Sequence, residues 1–209
     1  MKKSFILYLS LFLTIFSLLL MGAKKTVPKI LILGDSITEG YGIEKEKAFP
    51  QFIQNQFGPK VQIINGGSSG STTSSGMARL KWHMSKKPDI VLIALGSNDG
   101  LRGISPAETQ RNIIQMIQFL KANKVKVLLC GLQVPPSYGS KYVQEFAQIW
   151  PQIVKHEKIP LFPFLLKDVA GVKKLNQEDG IHPNILGHQK IATALFPFIQ
   201  KNLETEINP

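Results

Sequence analysis

The chain has 209 residues and a single cysteine, Cys130. No intramolecular disulfide can form, so the fold gets no covalent staple in any compartment. Cys130 lies in the apolar run Val127 to Leu132 with no base beside it, which reads as a buried structural thiol rather than a redox group. Acidic residues are also scarce: 14 Asp and Glu face 25 Lys and Arg, a formal charge of +11. That excess favours anionic surfaces such as membrane headgroups or acidic polymers. The lysines form no long tract, and neither zinc-ligand spacing nor an RNA-binding signature occurs, so nucleic acid is not the expected partner. Internal repeats and a domain-splitting linker are absent as well. With 44% apolar and 19% charged residues, the composition is that of a globular chain.

One long hydrophobic stretch stands apart. Met1 to Lys3 is basic, Phe5 to Met21 is apolar apart from Ser10, Thr14 and Ser17, and Gly22-Ala23 precedes Lys24-Lys25. This is the layout of a secretory signal. Met21 makes the cleavage site imperfect, and the run is long enough to approach a bilayer span. Residues 1–23 are therefore read as a signal peptide or an uncleaved N-terminal anchor. No cysteine follows, which excludes a lipoprotein anchor. Either way residues 24–209 form an exported domain, periplasmic or in the cell envelope of a bacterium.

What remains alternates between two patterns. Short β-favouring apolar runs occur at Ile30–Leu33, Val61–Asn65, Asp89–Leu95, Val125–Leu132 and Ile159–Phe164. Helical periodicity occupies Glu44–Phe57, Gly76–Lys86, Pro106–Asn123, Lys141–Glu157 and Ile185–Leu203, with Pro151 and Pro197 expected to kink or end their helices. The alternation predicts a three-layer α/β/α sandwich with a mostly parallel sheet.

Candidate chemistry gathers where strands end. Ser36 follows Ile30–Leu33 at once, in the position where open α/β sheets place a ligand crevice. Taken alone it reads more readily as a cap or turn serine. A nucleophilic serine needs a base oriented by a third group. His83 and His156 lie on helices beside basic residues, and His188 lies early in the last helix. His182, in Asp179-Gly180-Ile181-His182-Pro183, has a carboxylate three residues upstream and a glycine that lets the chain turn between them. This pair supplies a base and its orienter, although a helix start near Pro183 would explain the same residues. Donors for a developing oxyanion are the Ser36 N–H, a glycine N–H in Gly66–Gly70, and the Asn98 side chain.

The combination resembles the GDSL, or SGNH, hydrolases. G-D-S-I-T-E-G-Y-G around Ser36, N-x-x-x-x-G ending at Gly70, G-S-N-D with Asn98, and D-G-I-H-P match that family's four blocks in order and separation. The resemblance runs from about Ile30 to the last helix and is nearest to the exported bacterial thioesterase and lysophospholipase branch. Ile37 and Ser97 depart from the commonest residues at their positions. The resemblance implies a flavodoxin-like five-stranded sheet and no cofactor or metal. It implies Ser36 as nucleophile, His182 as base, Asp179 as its orienter, and Ser36, Gly70 and Asn98 as the oxyanion hole. It also implies Leu101 and Ile104, with Val134 and Pro135, along an apolar acyl groove. The expected reaction is hydrolysis of small acyl esters or thioesters (lysophospholipid, acyl thioester or aryl ester) through an acyl-enzyme. Competing expectations are a carbohydrate O-acetylesterase and a non-catalytic envelope protein that binds lipid or glycan. A monomer is the expected state, with a basic face suited to a membrane surface.

Overall fold

A computed structural model describes residues 27–207. The residues assigned to a signal or anchor lie outside this range. Among the described residues, no helix is long and apolar enough to cross a membrane.

Five parallel strands form one sheet in the order β2-β1-β3-β4-β5. They are β1 (Lys29–Gly34), β2 (Gln62–Gly66), β3 (Ile90–Ala94), β4 (Lys126–Cys130) and β5 (Leu161–Phe162). The α-helices are α1 (Ser36–Glu39), α2 (Phe49–Phe57), α3 (Thr73–His83), α4 (Ser97–Leu101), α5 (Pro106–Ala122), α6 (Ser140–Glu157) and α7 (Ile185–Ile207). The flavodoxin-like expectation therefore holds.

Chain direction explains the layering. The chain steps from β1 outward to β2, then crosses back over β1 to β3 and continues to β5. Right-handed crossovers put the first connection on one face of the sheet and the rest on the other. Accordingly α2 packs against α7, while α3 packs on α5 and α5 on α6. The reversal falls between β1 and β3, and the crevice it opens lies beyond their carboxyl ends.

The central strands are continuous apolar runs because helices cover both faces. Ile30 to Leu33 and Ile90 to Ile93 are all 0% exposed. Cys130 is fully buried beside them, and desolvation pushes its thiol pKa up, which makes it an inert core residue.

Several boundaries differ from the sequence reading. β5 shrinks to two residues because Pro160 and Pro163 flank it, and proline brings no N–H to a ladder. Helix α3 begins at Thr73, three residues before the expected Gly76, since Asp99 accepts hydrogen bonds from the Thr73 N–H and hydroxyl. Pro151 does not end α6. One face of that helix buries Phe146, Ile149, Trp150 and Ile153, and Trp150 donates its indole N–H to the Leu132 carbonyl at 2.6 Å. Such burial outweighs the one lost backbone bond, about 3 kcal/mol. Pro197 likewise sits inside α7, which runs on to Ile207.

Gly131, just past β4, leaves no room for a side chain. A Cβ there would lie 2.1 Å from the Pro163 carbonyl oxygen. Gly131→Ala is expected to cost about 1–3 kcal/mol through forced backbone movement, read as a lower urea midpoint at unchanged slope.

Candidate active site

The turn from β1 into α1 is as tight as the chain allows. A Cβ on Gly34 would collide with Thr38 Oγ1 at 1.9 Å, so glycine is required for the strand to enter the helix directly. Asp35 then caps the helix by accepting the Ile37 N–H at 3.1 Å. Ser36 emerges as the first helical residue, 9% exposed, at the crevice rim.

Arg79 of α3 holds the floor beneath it. Its guanidinium donates to the Gly34 carbonyl at 2.9 Å and to the Gly66 carbonyl, joining the ends of β1 and β2. Burial lowers the Arg79 pKa, countered by Asp35 and Glu39 nearby. Glu39 accepts the backbone N–H of Ser69 at 2.7 Å and also its hydroxyl, which fastens the Gly67–Ser71 loop to α1.

His182 reaches the rim from the far end of the chain. Ser36 Oγ lies 2.9 Å from His182 Nε2, and Asp179 Oδ2 lies 2.6 Å from His182 Nδ1. A carboxylate only accepts, so Nδ1 carries the proton, and Nε2 is left to accept from the serine hydroxyl. The other Asp179 oxygen accepts the N–H groups of Ile181 (2.9 Å) and His182 (3.0 Å). Gly180 provides the left-handed turn these bonds need, at φ +67°. Hydrogen bonds from the His182 ring and backbone hold the Asp179 pKa down at about 2. Tyr41 packs on the imidazole with centroids 4.7 Å apart. Gln177 ties the loops together, donating to the Tyr41 carbonyl (2.7 Å) and the Pro183 carbonyl (3.0 Å).

The other candidate residues surround this contact at strand ends. Asn98 donates one amide hydrogen to the Ser71 carbonyl at 2.9 Å, and the Arg102 guanidinium donates to the Gly70 carbonyl at 3.0 Å. Gly70 adopts φ +73°, which favours glycine. Asp99 is fully buried. It accepts from Thr73 and from Thr109, and so links the Asn98 segment to the start of α3. Leu101 and Ile104 are half-buried. Their carbonyls accept from Tyr138 and Tyr142, each at 2.8 Å. Pro135 is exposed. Val134 is buried, packed where a Cβ on Gly100 would stand, so its side chain belongs to the core beneath the rim.

The remaining histidines lie elsewhere. His188 Nδ1 accepts the Phe49 N–H at 3.2 Å, and burial pushes its pKa down to about 4. Burial also lowers His83, while His156 lies beside Glu157. Among the described residues, no group of three His, Cys, Asp or Glu side chains could hold a metal ion.

Tyr41, Arg79, Asp99 and Gln177 carry no role in the sequence reading. Tyr41 and Asp99 sit inside the matched blocks and Arg79 lies outside them, and nothing in local spacing shows what any of the three touches. Gln177 is visible only through its contacts.

Asp35 generates a pH test. Burial raises its pKa from 3.8 to about 6, opposed by the Ile37 N–H, the Ser97 side chain and the field of His182. The folded form therefore holds an extra proton between those values. The associated stability is complete below about pH 4 and is lost as the pH rises through about 6. Asp35→Asn keeps the cap but not the titration. The stability of the wild type relative to the variant should fall by up to about 3 kcal/mol between pH 4 and 6, measured by urea unfolding across that range.

The family model for GDSL-like lipase/acylhydrolase matches residues 32–190. The chain is 35% identical over 188 residues to the esterase TesA of Pseudomonas aeruginosa, covering 88% of this chain and 94% of that one. It is 36% identical over 171 residues to thioesterase 1/protease 1/lysophospholipase L1 of Escherichia coli, covering 81% and 82%. Among solved structures, the psychrotrophic esterase EstA from Pseudoalteromonas, inhibited by monoethylphosphonate, superposes with a TM-score of 0.80 at 31% identity, over 84% of this chain and 98% of its own. A matching order of blocks, the same fold and relatives covered almost end to end lead to one assignment: the chain belongs to the GDSL-like lipase/acylhydrolase family of ester hydrolases.

Proposed function

We propose that the protein hydrolyses acyl esters and thioesters through a covalent acyl-enzyme on Ser36. The observation that carries this reading is the continuous chain Ser36 Oγ, His182 Nε2, His182 Nδ1, Asp179 Oδ2, with contacts of 2.9 and 2.6 Å at its ends. A serine hydroxyl is a weak nucleophile until a base takes its proton as it attacks. His182 is the base. Asp179 keeps its tautomer fixed and stabilises the imidazolium that forms. Oγ adds to the acyl carbonyl, and negative charge moves onto the carbonyl oxygen.

Three donors are assigned to that oxygen: the Ser36 N–H, the Gly70 N–H and the second Asn98 amide hydrogen. The Ser71 bond orients the Asn98 amide before substrate arrives, so little reorganisation is needed as charge develops. The tetrahedral intermediate then breaks its bond to the alcohol or thiol, which leaves with the proton from His182. Water, activated by the same imidazole, releases the acid and restores the serine.

The rim favours an acyl chain over a polar substituent. Leu101 and Ile104, both half-buried, are assigned to the acyl chain, and exposed Tyr41 and Ile181 stand beside His182. Lysophospholipids, acyl thioesters and aryl esters fit this description.

Ser36→Ala should lower hydrolysis of p-nitrophenyl octanoate by at least about 10⁴-fold at unchanged circular dichroism, and Asn98→Ala by about 10²–10³-fold. Full activity in Ser36→Ala would remove the nucleophile. Octanoate is expected to be cleaved faster than acetate. The reverse order would turn the reading toward a carbohydrate O-acetylesterase.

A further inference from the structure

The edge of the sheet opposite the crevice has a different charge pattern. At the rim the acids Asp35, Glu39 and Asp179 share the space with the guanidinium groups of Arg79 and Arg102, so both signs are present. At the amino ends of the strands the chain places Lys29, Lys60, Lys86, Lys87, Lys124 and Lys158, all exposed except half-buried Lys29. Asp89 is the acid among them, and it accepts the Lys29 backbone N–H at 2.7 Å. Glu157 is buried and held by Lys121 at 2.7 Å, which leaves its charge compensated. Glu204, near the end of α7, is the other exposed acid at this edge among the residues whose exposure is described.

Backbone conformation sharpens the pattern. Among the described residues, Lys87 (φ +53°), Lys124 (φ +59°) and Lys158 (φ +51°) are three of the four non-glycine residues with positive φ. Each ends a helical segment just before β3, β4 or β5. This is the left-handed capping position that glycine fills at least strain. Each lysine adopts this conformation and places a cation at the same edge.

Two further features share that edge. Trp82, in the last turn of α3, is 67% exposed, and Lys86 Nζ lies 5.2 Å from its ring centroid. An indole among lysines suits the headgroup level of a bilayer, where amphipathic rings collect. The chain also enters the fold here. Val27 is 46% exposed, β1 begins at Lys29, and the apolar run Phe5–Met21 with Lys24-Lys25 precedes them in sequence.

We infer that the amino-edge face of the sheet, with Trp82 and the left-handed lysines Lys87, Lys124 and Lys158, docks on a bilayer of anionic phospholipid. Docking turns the Ser36 rim away from that bilayer by about the length of a strand, roughly 20 Å. Substrate then reaches the site from the aqueous side, not from the docked leaflet.

Trp82 reports on this directly, since the other tryptophan, Trp150, is 3% exposed and bonded inside the core. The full chain is mixed with phosphatidylcholine vesicles containing brominated lipid, with or without phosphatidylglycerol, and indole fluorescence is followed. Quenching is expected on the anionic vesicles at low salt and is reversed by 0.5 M NaCl. Each lysine near such a surface contributes about fivefold to binding. K87G/K124G/K158G should therefore shift the phosphatidylglycerol dependence by more than tenfold. Its melting temperature should be unchanged or higher, because glycine relieves the left-handed positions. K87Q/K124Q/K158Q should behave alike if the glycine variant fails to fold. Unquenched Trp82 on anionic vesicles, equal quenching on neutral ones, or equal quenching in the lysine variants would overturn the inference. So would lysine-dependent capture of duplex DNA or an acidic protein without any vesicle response. None of these outcomes depends on esterase activity.

Discussion

Burial of β1 on both faces is the constraint on which the site depends. Ile30 to Leu33 sit between β2 and β3 at 0% exposure, so the point where the chain leaves the sheet cannot drift. A glycine and a capping aspartate then convert strand to helix within two residues and leave Ser36 at the rim. Arg79 ties the end of this strand to that of its neighbour. The serine is thus positioned by the core, where packing is dense and tolerances are small. A nucleophile on a free loop would need the same precision from far fewer contacts.

His182 is held differently. It stands on a loop, and that loop is stiffened by polar bonds instead of apolar burial. Asn176 donates to the Val169 carbonyl at 2.7 Å, the Gln177 N–H donates to the His182 carbonyl at 2.8 Å, and Asp179 takes two backbone N–H groups. Gln177 joins this loop to Tyr41 on the serine side. Two segments 146 residues apart therefore meet through a direct bond and a second, structural one beside it. The segments carrying Asn98 and Gly70 show the same logic: buried Asp99 couples the Asn98 turn to the start of α3, next to Gly70.

Much of this was legible in the sequence because its causes are local. The apolar strand runs, the strand-to-helix turn at Ser36 and the Asp179-x-x-His182 loop each depend on residues a few positions apart. What was not legible depends on distant partners. The early start of α3 is set by Asp99, 26 residues on. Survival of α6 through Pro151 rests on burial against the sheet, which periodicity does not weigh against a breaker. The resemblance put Val134 along the acyl groove, yet it packs beneath Gly100. The charge difference between the two sheet edges was hidden in a scattered list of lysines. Only strand direction reveals which of them share an edge.

The assignment of Ser36 as a base-activated nucleophile is tested most directly by covalent labelling. The full chain is treated with a fluorophosphonate, digested and analysed by mass spectrometry, beside His182→Ala. The account predicts one phosphonyl adduct per chain, on the peptide carrying Ser36, formed at least about 10³-fold more slowly without the imidazole. An adduct on any other residue, or labelling of His182→Ala at the wild-type rate, would contradict it.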